Sequence, residues 1–224
     1  MKKTHIRLAA IILIFSTLFS CAAQPVVISK KNFDTLSNCT VAVFLPFSIG
    51  SGVIINEDTV ITCKHVVTDH QGNVFTSVIK VLKSTNRMNS DGAEIFTIHE
   101  GVVEKVSTKY DLAMIRITKQ KFEKKNFVDI SLAAPKFDDV VYYSGFLPEM
   151  GPYKTRGYFN AQKVMDKRSC IQMNLPITQG ISGGGLFNDE MKLIGIVRAH
   201  HKTNNSISLA ETSENLINFL HDID

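Results

Sequence analysis

The sequence predicts an all-β protein made of two β-barrels and closed by a C-terminal helix. Short β-rich runs recur along the chain with turn residues between them. A charged stretch at 119–126, reading KQKFEKKN, divides these runs into two sets of about six. The chain has 224 residues, of which 44% are hydrophobic and 21% charged, enough for a packed core in one large or two small domains. This composition excludes a disordered chain, a collagen-like repeat and a disulfide-dense mini-protein.

The individual elements follow from alternating apolar residues and from turn signals. We expect one set of strands at 40–46, 52–55, 59–63, 74–82, 93–99 and 112–117, and a second at 140–146, 155–164, 170–175, 185–187, 193–199 and 206–210. The stretch at 119–126 shows no apolar periodicity, which favours a solvated linker. Ser213 is a candidate N-cap for a closing helix at 213–221, where Leu216, Ile217 and Leu220 share one face.

The N-terminus has the form of a secretory signal. A basic start is followed by the apolar run LAAIILIFSTLF at 8–19, too short for a comfortable membrane span. The next residues resemble a bacterial lipobox, in which Cys21 becomes the first residue of the mature chain and carries lipid. Cleavage after Ala23 and an uncleaved anchor helix are the alternatives. By resemblance to Gram-negative lipoproteins, Ala22 favours the outer membrane, facing the periplasm.

These boundaries divide the chain into five segments. We expect a lipoprotein signal peptide at 1–20, a tether and lead-in at 21–39, and a first barrel at 40–118. A linker at 119–138 then joins it to a second barrel and helix at 139–224. Nothing beyond the two barrels is expected in the remaining 204 residues.

The net charge of +4 belongs mostly to the signal. Lys2, Lys3 and Arg7 are three of the 25 basic residues, and residues 1–20 contain no acidic residue. Removal of this segment leaves 22 basic and 21 acidic residues, a net charge of +1. Nothing in this balance indicates a nucleic-acid partner. The expected partners are the membrane, through the lipid anchor, and protein or peptide substrates, and the sequence does not reveal the oligomeric state.

The cysteines predict neither a metal site nor a disulfide framework. With Cys21 lipidated, Cys39, Cys63 and Cys170 remain, so at most one bridge forms within the chain. The segment Cys63-Lys64-His65 has the wrong spacing and too few ligands for zinc. No metal and no cofactor are expected.

The segment at 179–186, reading QGISGGGL, is the strongest local signal for chemistry. A serine hydroxyl needs a base to accept its proton, and the tetrahedral intermediate needs N–H donors aimed at its oxyanion. Glycines around Ser182 would let the backbone turn so that the amides of Gly180 and Ser182 face one point. A flexible glycine loop between strands is the alternative interpretation.

Two further segments supply the partners that such a serine needs. In VITCKHVV at 60–67, a hairpin would deliver His65 at the end of its second strand. In YDLAMIRI at 110–117, Asp111 opens an apolar strand, so its carboxylate needs a partner. An imidazole Nδ1–H suits that carboxylate, because the bond leaves Nε2 free to accept the serine proton. A structural histidine and an aspartate that bonds its own turn are the alternatives.

Together, and in the order His65, Asp111 and Ser182, these segments resemble the trypsin-like serine proteases, specifically the HtrA-type branch. The likeness runs from about residue 40 to 210 and includes GSGVII at 50–55 and LIGIV at 193–197. It implies a chymotrypsin-like fold with His65 and Asp111 on the first barrel and Ser182 on the second. It also implies that residues 176–179 and 197–200 line the primary pocket. None of them is acidic, which argues against cleavage after Lys or Arg.

Several positions depart from that family. Ile181 stands where digestive enzymes have Asp, and Gly185 where the family usually has Pro. Lys64 is an unusual cation beside His65 and would lower the pKa of His65 if it pointed inward, although a solvent-facing Lys64 is expected. We expect Arg198, His200 and His201 to form a solvated edge, because alternate strand residues point away from the cleft. No PDZ domain of the kind typical of HtrA proteases is expected in residues 21–224.

Three functions from different classes remain open on the sequence. The first is a serine endopeptidase tethered to a bacterial envelope membrane. The second is a peptide-binding or regulatory lipoprotein whose site is impaired by Ile181 and Gly185. The third is an esterase that uses the same triad. The esterase is disfavoured, because α/β-hydrolases need a strand–turn–helix around the serine.

Overall fold

The computed structural model describes residues 29–46, 48–76, 78–147, 150–165, 168–175, 180–201 and 204–222, with backbone alone at 199–201 and 204–206. The signal peptide and Cys21 therefore lie outside the described residues. Twelve strands and three α-helices are present in the described part of the chain. Within these residues, no helix is long and apolar enough to cross a bilayer.

The first barrel contains six antiparallel strands in the closed order β1-β2-β3-β6-β5-β4. These strands are β1 (Thr40–Leu45), β2 (Ser48–Ile54), β3 (Thr59–Thr62), β4 (Ile79–Met88), β5 (Glu94–Val106) and β6 (Ala113–Lys119). Closure leaves no unpaired strand edge, and the valine and isoleucine side chains of β1 and β3 fill the interior. The barrel is preceded by helix α1 (Lys30–Cys39), and helix α2 (Lys64–Val67) follows β3.

The second barrel has the same architecture and the closed order β10-β11-β12-β9-β8-β7. Its strands are β7 (Val140–Leu147), β8 (Gly151–Met165), β9 (Arg168–Asn174), β10 (Gly185–Phe187), β11 (Leu193–His201) and β12 (Asn204–Thr212). Helix α3 (Ser213–Leu220) closes the chain. The prediction of a double β-barrel with a C-terminal helix is therefore confirmed.

Several local features differ from the sequence expectations, among them three outside the site. The strand expected at 74–82 begins at Ile79, because the preceding loop folds around Asp69, whose carboxylate accepts the N–H groups of Gln71 and Asn73. Helix α1 lies in the segment expected to be a tether. The stretch at 119–126 is anchored as well as solvated, since Phe122 is buried in the first core.

The two barrels are joined by buried polar contacts and by α3. Thr40 Oγ1 on β1 donates to Ser144 Oγ on β7 over 2.7 Å. Leu216 and Phe219 of α3 are fully buried in the apolar cluster that fills the first barrel and extends to second-barrel residues such as Phe187. The two barrels are thus held together by a buried hydrogen bond and by apolar packing.

Candidate active site

His65 is carried by a one-turn helix rather than by the end of a strand. Strand β3 ends at Thr62, and α2 begins at Lys64, with Val66 and Val67 buried beneath it. These two anchors leave the His65 imidazole half-exposed at the barrel surface. Lys64 does not turn toward the imidazole, because its Nζ donates to the carbonyl oxygen of Ser107 over 3.1 Å.

Asp111 lies in the loop between β5 and β6 and meets His65 at two points. His65 Nδ1 and Asp111 Oδ2 are 2.8 Å apart, and the backbone N–H of His65 donates to Asp111 Oδ1 over 3.1 Å. The loop is held by Ser107, whose Oγ accepts the N–H groups of Lys109 and Tyr110. This bidentate contact orients the ring and directs Nε2 away from the carboxylate.

The Asp111 carboxyl remains ionised in this setting. Burial raises its pKa, but the hydrogen bonds from His65 and the electrostatic attraction of His65 and Arg198 outweigh burial. The net effect holds the pKa of Asp111 below its ordinary value. A charged Asp111 can stabilise an imidazolium that forms at His65 during proton transfer.

The turn that carries Ser182 depends on Gly183. Its φ is +90°, and a Cβ there would lie 2.1 Å from the carbonyl oxygen of Ser51 on the first barrel. A side chain is therefore excluded by both backbone conformation and close approach. The carbonyl of Ser182 accepts the N–H of Ser51 over 2.8 Å, which ties the turn to β2. The serine predicted on the second barrel is thus placed against the first.

The Ser182 hydroxyl donates to the carbonyl oxygen of Arg198 over 3.1 Å. Ser182 and His65 are both described, and no hydrogen bond joins the hydroxyl to the imidazole. Within the described residues, the backbone N–H groups of Gly180 and Ser182 donate to no protein acceptor. Their predicted role in an oxyanion hole requires such unbonded N–H groups and stays a prediction.

Ile181 and Gly185 are both accommodated by packing. The Ile181 side chain is 1% exposed in the core of the second barrel, and its carbonyl accepts the Tyr143 hydroxyl over 2.8 Å. A Cβ on Gly185 would lie 2.4 Å from the Phe187 ring. The turn beside Ser182 is therefore held by an apolar side chain and a buried phenol in place of a charged group.

Ser51 is a site residue that the sequence reasoning did not single out. It is fully buried between the barrels, where its Oγ donates to the Gly180 carbonyl and accepts the N–H of Phe146. Its carbonyl accepts the Thr62 hydroxyl over 2.7 Å. Glycines on both sides of Ser51, at positions 50 and 52, were the available signal, because the packing around both positions leaves no room for a side chain.

Arg198 does not lie on a solvated edge, and that expectation was wrong. It is the extra residue of a β-bulge between β11 and β12, and its side chain is 12% exposed against the buried Glu211. The alternation rule fails because a bulge re-aims the side chain. The expected pocket residues 176–179 lie outside the described residues, as do the side chains of His200 and His201.

All three described cysteines are free and buried. Cys63 Sγ, a His65 nitrogen and an Asp111 carboxylate oxygen lie within 4.8 Å of one another, close enough to hold a metal ion. Burial and the charges of Asp111 and Glu211 raise the pKa of the Cys63 thiol well above its ordinary value, and the thiol donates to the Val197 carbonyl. A protonated thiol is a poor ligand, and the other two atoms already bind each other.

An open cavity of about 540 Å³ adjoins His65 and Asp111. It lies in front of α2 and is bounded by the loop that follows this helix. Its other lining residues are Lys64, Thr68, Asp69, His70, Gln71, Gly72 and Phe75. The half-exposed imidazole therefore faces a space large enough for part of a peptide.

Two closed six-stranded barrels, with His65 and Asp111 on one and Ser182 on the other, define the class of chymotrypsin-like double-barrel proteins. The sequence profile of the trypsin-like peptidase domain matches residues 50–196. The chain therefore belongs to the trypsin-like peptidase family, which supports a serine protease function. No curated protein matches the sequence.

Solved structures of similar fold include three proteases or protease relatives. The active form of the Rv3671c protease from M. tuberculosis is 15% identical with a TM-score of 0.71, covering 88% of this chain and 86% of that one. The serine endoprotease from Yersinia pestis is 23% identical, with a TM-score of 0.66 and coverages of 88% and 67%. Deg5 is 19% identical, with a TM-score of 0.64 and coverages of 84% and 89%. At these identities the likeness establishes the fold.

Proposed function

We propose that this protein is a serine endopeptidase that cleaves protein or peptide substrates through an acyl-enzyme on Ser182. The observation that carries the proposal is the 2.8 Å contact between His65 Nδ1 and Asp111 Oδ2. This contact favours the tautomer with the proton on Nδ1, which leaves Nε2 free to act as the general base. His65 and Asp111 belong to the first barrel, which the Ser182 turn contacts. Membership of the trypsin-like peptidase family supports the same chemistry.

The proposed reaction uses each residue in turn. Ser182 Oγ attacks the scissile carbonyl while His65 Nε2 accepts the hydroxyl proton, and Asp111 stabilises the resulting imidazolium. The amides of Gly180 and Ser182 bind the oxyanion. His65 then protonates the leaving amine, the peptide bond breaks, and a water molecule activated by His65 releases the acyl group from Ser182.

Attack requires the Ser182 hydroxyl to leave its hydrogen bond with the Arg198 carbonyl and to donate to His65 Nε2 instead. A substrate that takes over the Arg198 carbonyl as an acceptor would release the hydroxyl. Serine χ1 rotation is fast, so this step places no large barrier before the chemistry.

The test is hydrolysis of an unfolded protein by the full chain expressed with its own leader and purified in detergent. Ser182→Ala and His65→Ala are expected to lose at least ~10³-fold in rate. Ser90→Ala, at an exposed turn of the β4–β5 hairpin, is the matched control and should retain the parent rate. Hydrolysis that persists in Ser182→Ala would show that Ser182 is not the nucleophile.

We further propose that the lipid on Cys21 anchors the enzyme to the bacterial envelope, in the outer membrane facing the periplasm if the cell is Gram-negative. The support is the lipobox-like sequence before Cys21 and Ala22 after it. Metabolic labelling with a fatty-acid analogue tests the anchor, and Cys21→Ser should abolish incorporation. Incorporation that persists in Cys21→Ser would contradict the anchor while leaving the peptidase intact.

A catalytically impaired, peptide-binding lipoprotein is the second candidate. The observation that favours it is the Ser182 hydroxyl, which bonds Arg198 rather than His65. A parent protein that binds unfolded substrate and does not hydrolyse it, with the same affinity in Ser182→Ala, would select this function over the peptidase.

A further inference from the structure

We propose that Arg198 and Glu211 are positioning residues that hold Asp111 in register with His65, a role that rests on the proposed peptidase function. No hydrogen bond or ion pair of the described residues joins either side chain to His65 or Ser182. Both act through Asp111, Arg198 by its charge and Glu211 by a hydrogen bond. Because both residues lie on strands of the second barrel, the second barrel would help to position Asp111 of the first barrel.

The β-bulge in β11 aims Arg198 inward. Val197 pairs with Ala210 and Ala199 pairs with Leu209, so Arg198 has no partner on β12. The same residue presents its carbonyl to the Ser182 hydroxyl and its guanidinium to the barrel interior. Bulges commonly re-aim a side chain beside an active site. One residue therefore contacts both the nucleophile and the charge cluster behind Asp111.

Glu211 binds the main chain of Asp111 directly. Its side chain is 1% exposed, and Oε1 accepts the N–H of Asp111 over 3.3 Å and Arg198 Nη1 over 3.4 Å. The other oxygen, Oε2, accepts Asn215 Nδ2 of helix α3 over 2.7 Å. Asn215 also donates to the Ser169 carbonyl, which fixes its amide. Helix α3 thus holds Glu211, and Glu211 holds the backbone that presents the Asp111 carboxylate.

The titratable and charged groups around Asp111 come from three elements and from one residue between β3 and α2. His65 lies on α2, Cys63 immediately precedes α2, Arg198 lies on β11 and Glu211 on β12. The Arg198 charge lowers the pKa of Asp111, although the His65 hydrogen bond contributes more. Arg198 also balances the buried carboxylate of Glu211, so the pair adds no net charge beside Asp111.

Stability alone gives a weak reason for this pair. A buried ion pair is often no more stabilising than apolar residues of the same volume, because two charges must be desolvated. This one is long, at 3.4 Å, and Arg198 Nε is a buried donor without a partner in the described part of the chain. The pair is therefore weak evidence for a role in stability alone.

The deciding variant is Arg198→Met/Glu211→Leu in the full chain purified in detergent. It removes both charges together, so no lone ion is left buried and folding should be retained. We expect kcat to fall tenfold or more with KM within about twofold, because the aspartate is misplaced while the binding cleft is unchanged. We also expect Arg198→Lys, which keeps the cation, to retain most of kcat.

A spectroscopic readout accompanies the kinetics. The proton shared by His65 Nδ1 and Asp111 should give a low-field proton NMR signal in the parent, assigned by its absence in His65→Ala. The double variant should broaden or shift this signal. Arg116→Met, which breaks a surface ion-pair network with Asp58 and Glu104, is the control and should leave both the signal and kcat unchanged.

The outcomes separate this proposal from the peptidase proposal. An active parent whose double variant keeps both kcat and the low-field signal overturns the positioning role. An inactive parent whose signal is lost in the double variant overturns the peptidase and upholds positioning. If the double variant fails to fold, Asn215→Ala decides, because it frees Glu211 Oε2 and should lower kcat severalfold. An unchanged signal in a folded Asn215→Ala would then overturn the proposal.

Discussion

Replacing Gly183 with alanine is the sharpest structural perturbation beside the nucleophile. Gly183 has φ +90°, and a Cβ there would lie 2.1 Å from the Ser51 carbonyl oxygen and 2.3 Å from Thr62 Oγ1. The Ser51 carbonyl cannot move easily, because it accepts the Thr62 hydroxyl and belongs to β2. Alanine must therefore push the Ser182 turn away from the first barrel.

The expected destabilisation has two parts. The positive φ costs about 1–2 kcal/mol for a residue with a Cβ. Overpacking at a buried contact adds about 1–3 kcal/mol. Together these lower the free energy of unfolding by roughly 2–5 kcal/mol, which for a chain of this size shifts Tm by roughly 4–20 °C.

Gly72→Ala is the matched control for the first part. Gly72 has φ +86°, and no atom lies within 4 Å of where its Cβ would be, so this substitution carries the backbone strain without the clash. Thermal unfolding followed by circular dichroism measures both variants. We expect the Tm of Gly183→Ala to lie well below that of Gly72→Ala, and we expect Gly183→Ala to lose its hydrolytic activity. Equal Tm values for the two variants would refute the close approach of the barrels.

Three further outcomes follow. Because the folded-state pKa of Asp111 is depressed, its contribution to stability is complete above the ordinary value of 3.8 and is lost as pH falls through the lower folded value. Urea midpoints between pH 5 and pH 3 should therefore fall more steeply in the parent than in Asp111→Asn, and equal slopes would contradict this. Iodoacetamide at pH 8 should not modify Cys39, Cys63 or Cys170 until the protein is denatured. Burial raises the pKa of each thiol, to about 12 for Cys39, so little reactive thiolate is present. Rapid modification of the native protein would contradict the burial of these thiols. Ile181→Asp should lower the urea midpoint strongly while Ile181→Val changes it little, because only the first buries a charge in the second core.

The sequence predicted the barrels well because their signals are local. Alternating or continuous apolar runs such as TVIT in β3 specify a strand and its buried face. The residues His65, Asp111 and Ser182 were identifiable because each stands in a distinctive local setting of strand end, turn or glycines. The structure brings His65 and Asp111 into contact and sets the Ser182 turn against the first barrel.

The missed features depend on long-range packing. Helix α1 reads KKNFDTLSNC, too polar for its periodicity to stand out, and it is held by buried Leu36 and Cys39. The bulge at Arg198 interrupts the alternation of inward and outward side chains along β11, and no local residue pattern in β11 predicts a bulge there. Glu211 was placed beyond the end of an expected strand, and only the folded chain brings it to Asp111, 100 residues earlier.

The central claim is that Ser182 is a nucleophile activated by His65. Its most direct test is treatment of the full chain with a fluorophosphonate probe, followed by mass spectrometry that maps the modified residue. We expect a single adduct on Ser182, abolished in both Ser182→Ala and His65→Ala and retained in Ser90→Ala. An adduct elsewhere, or labelling of Ser182 that does not depend on His65, would contradict the account.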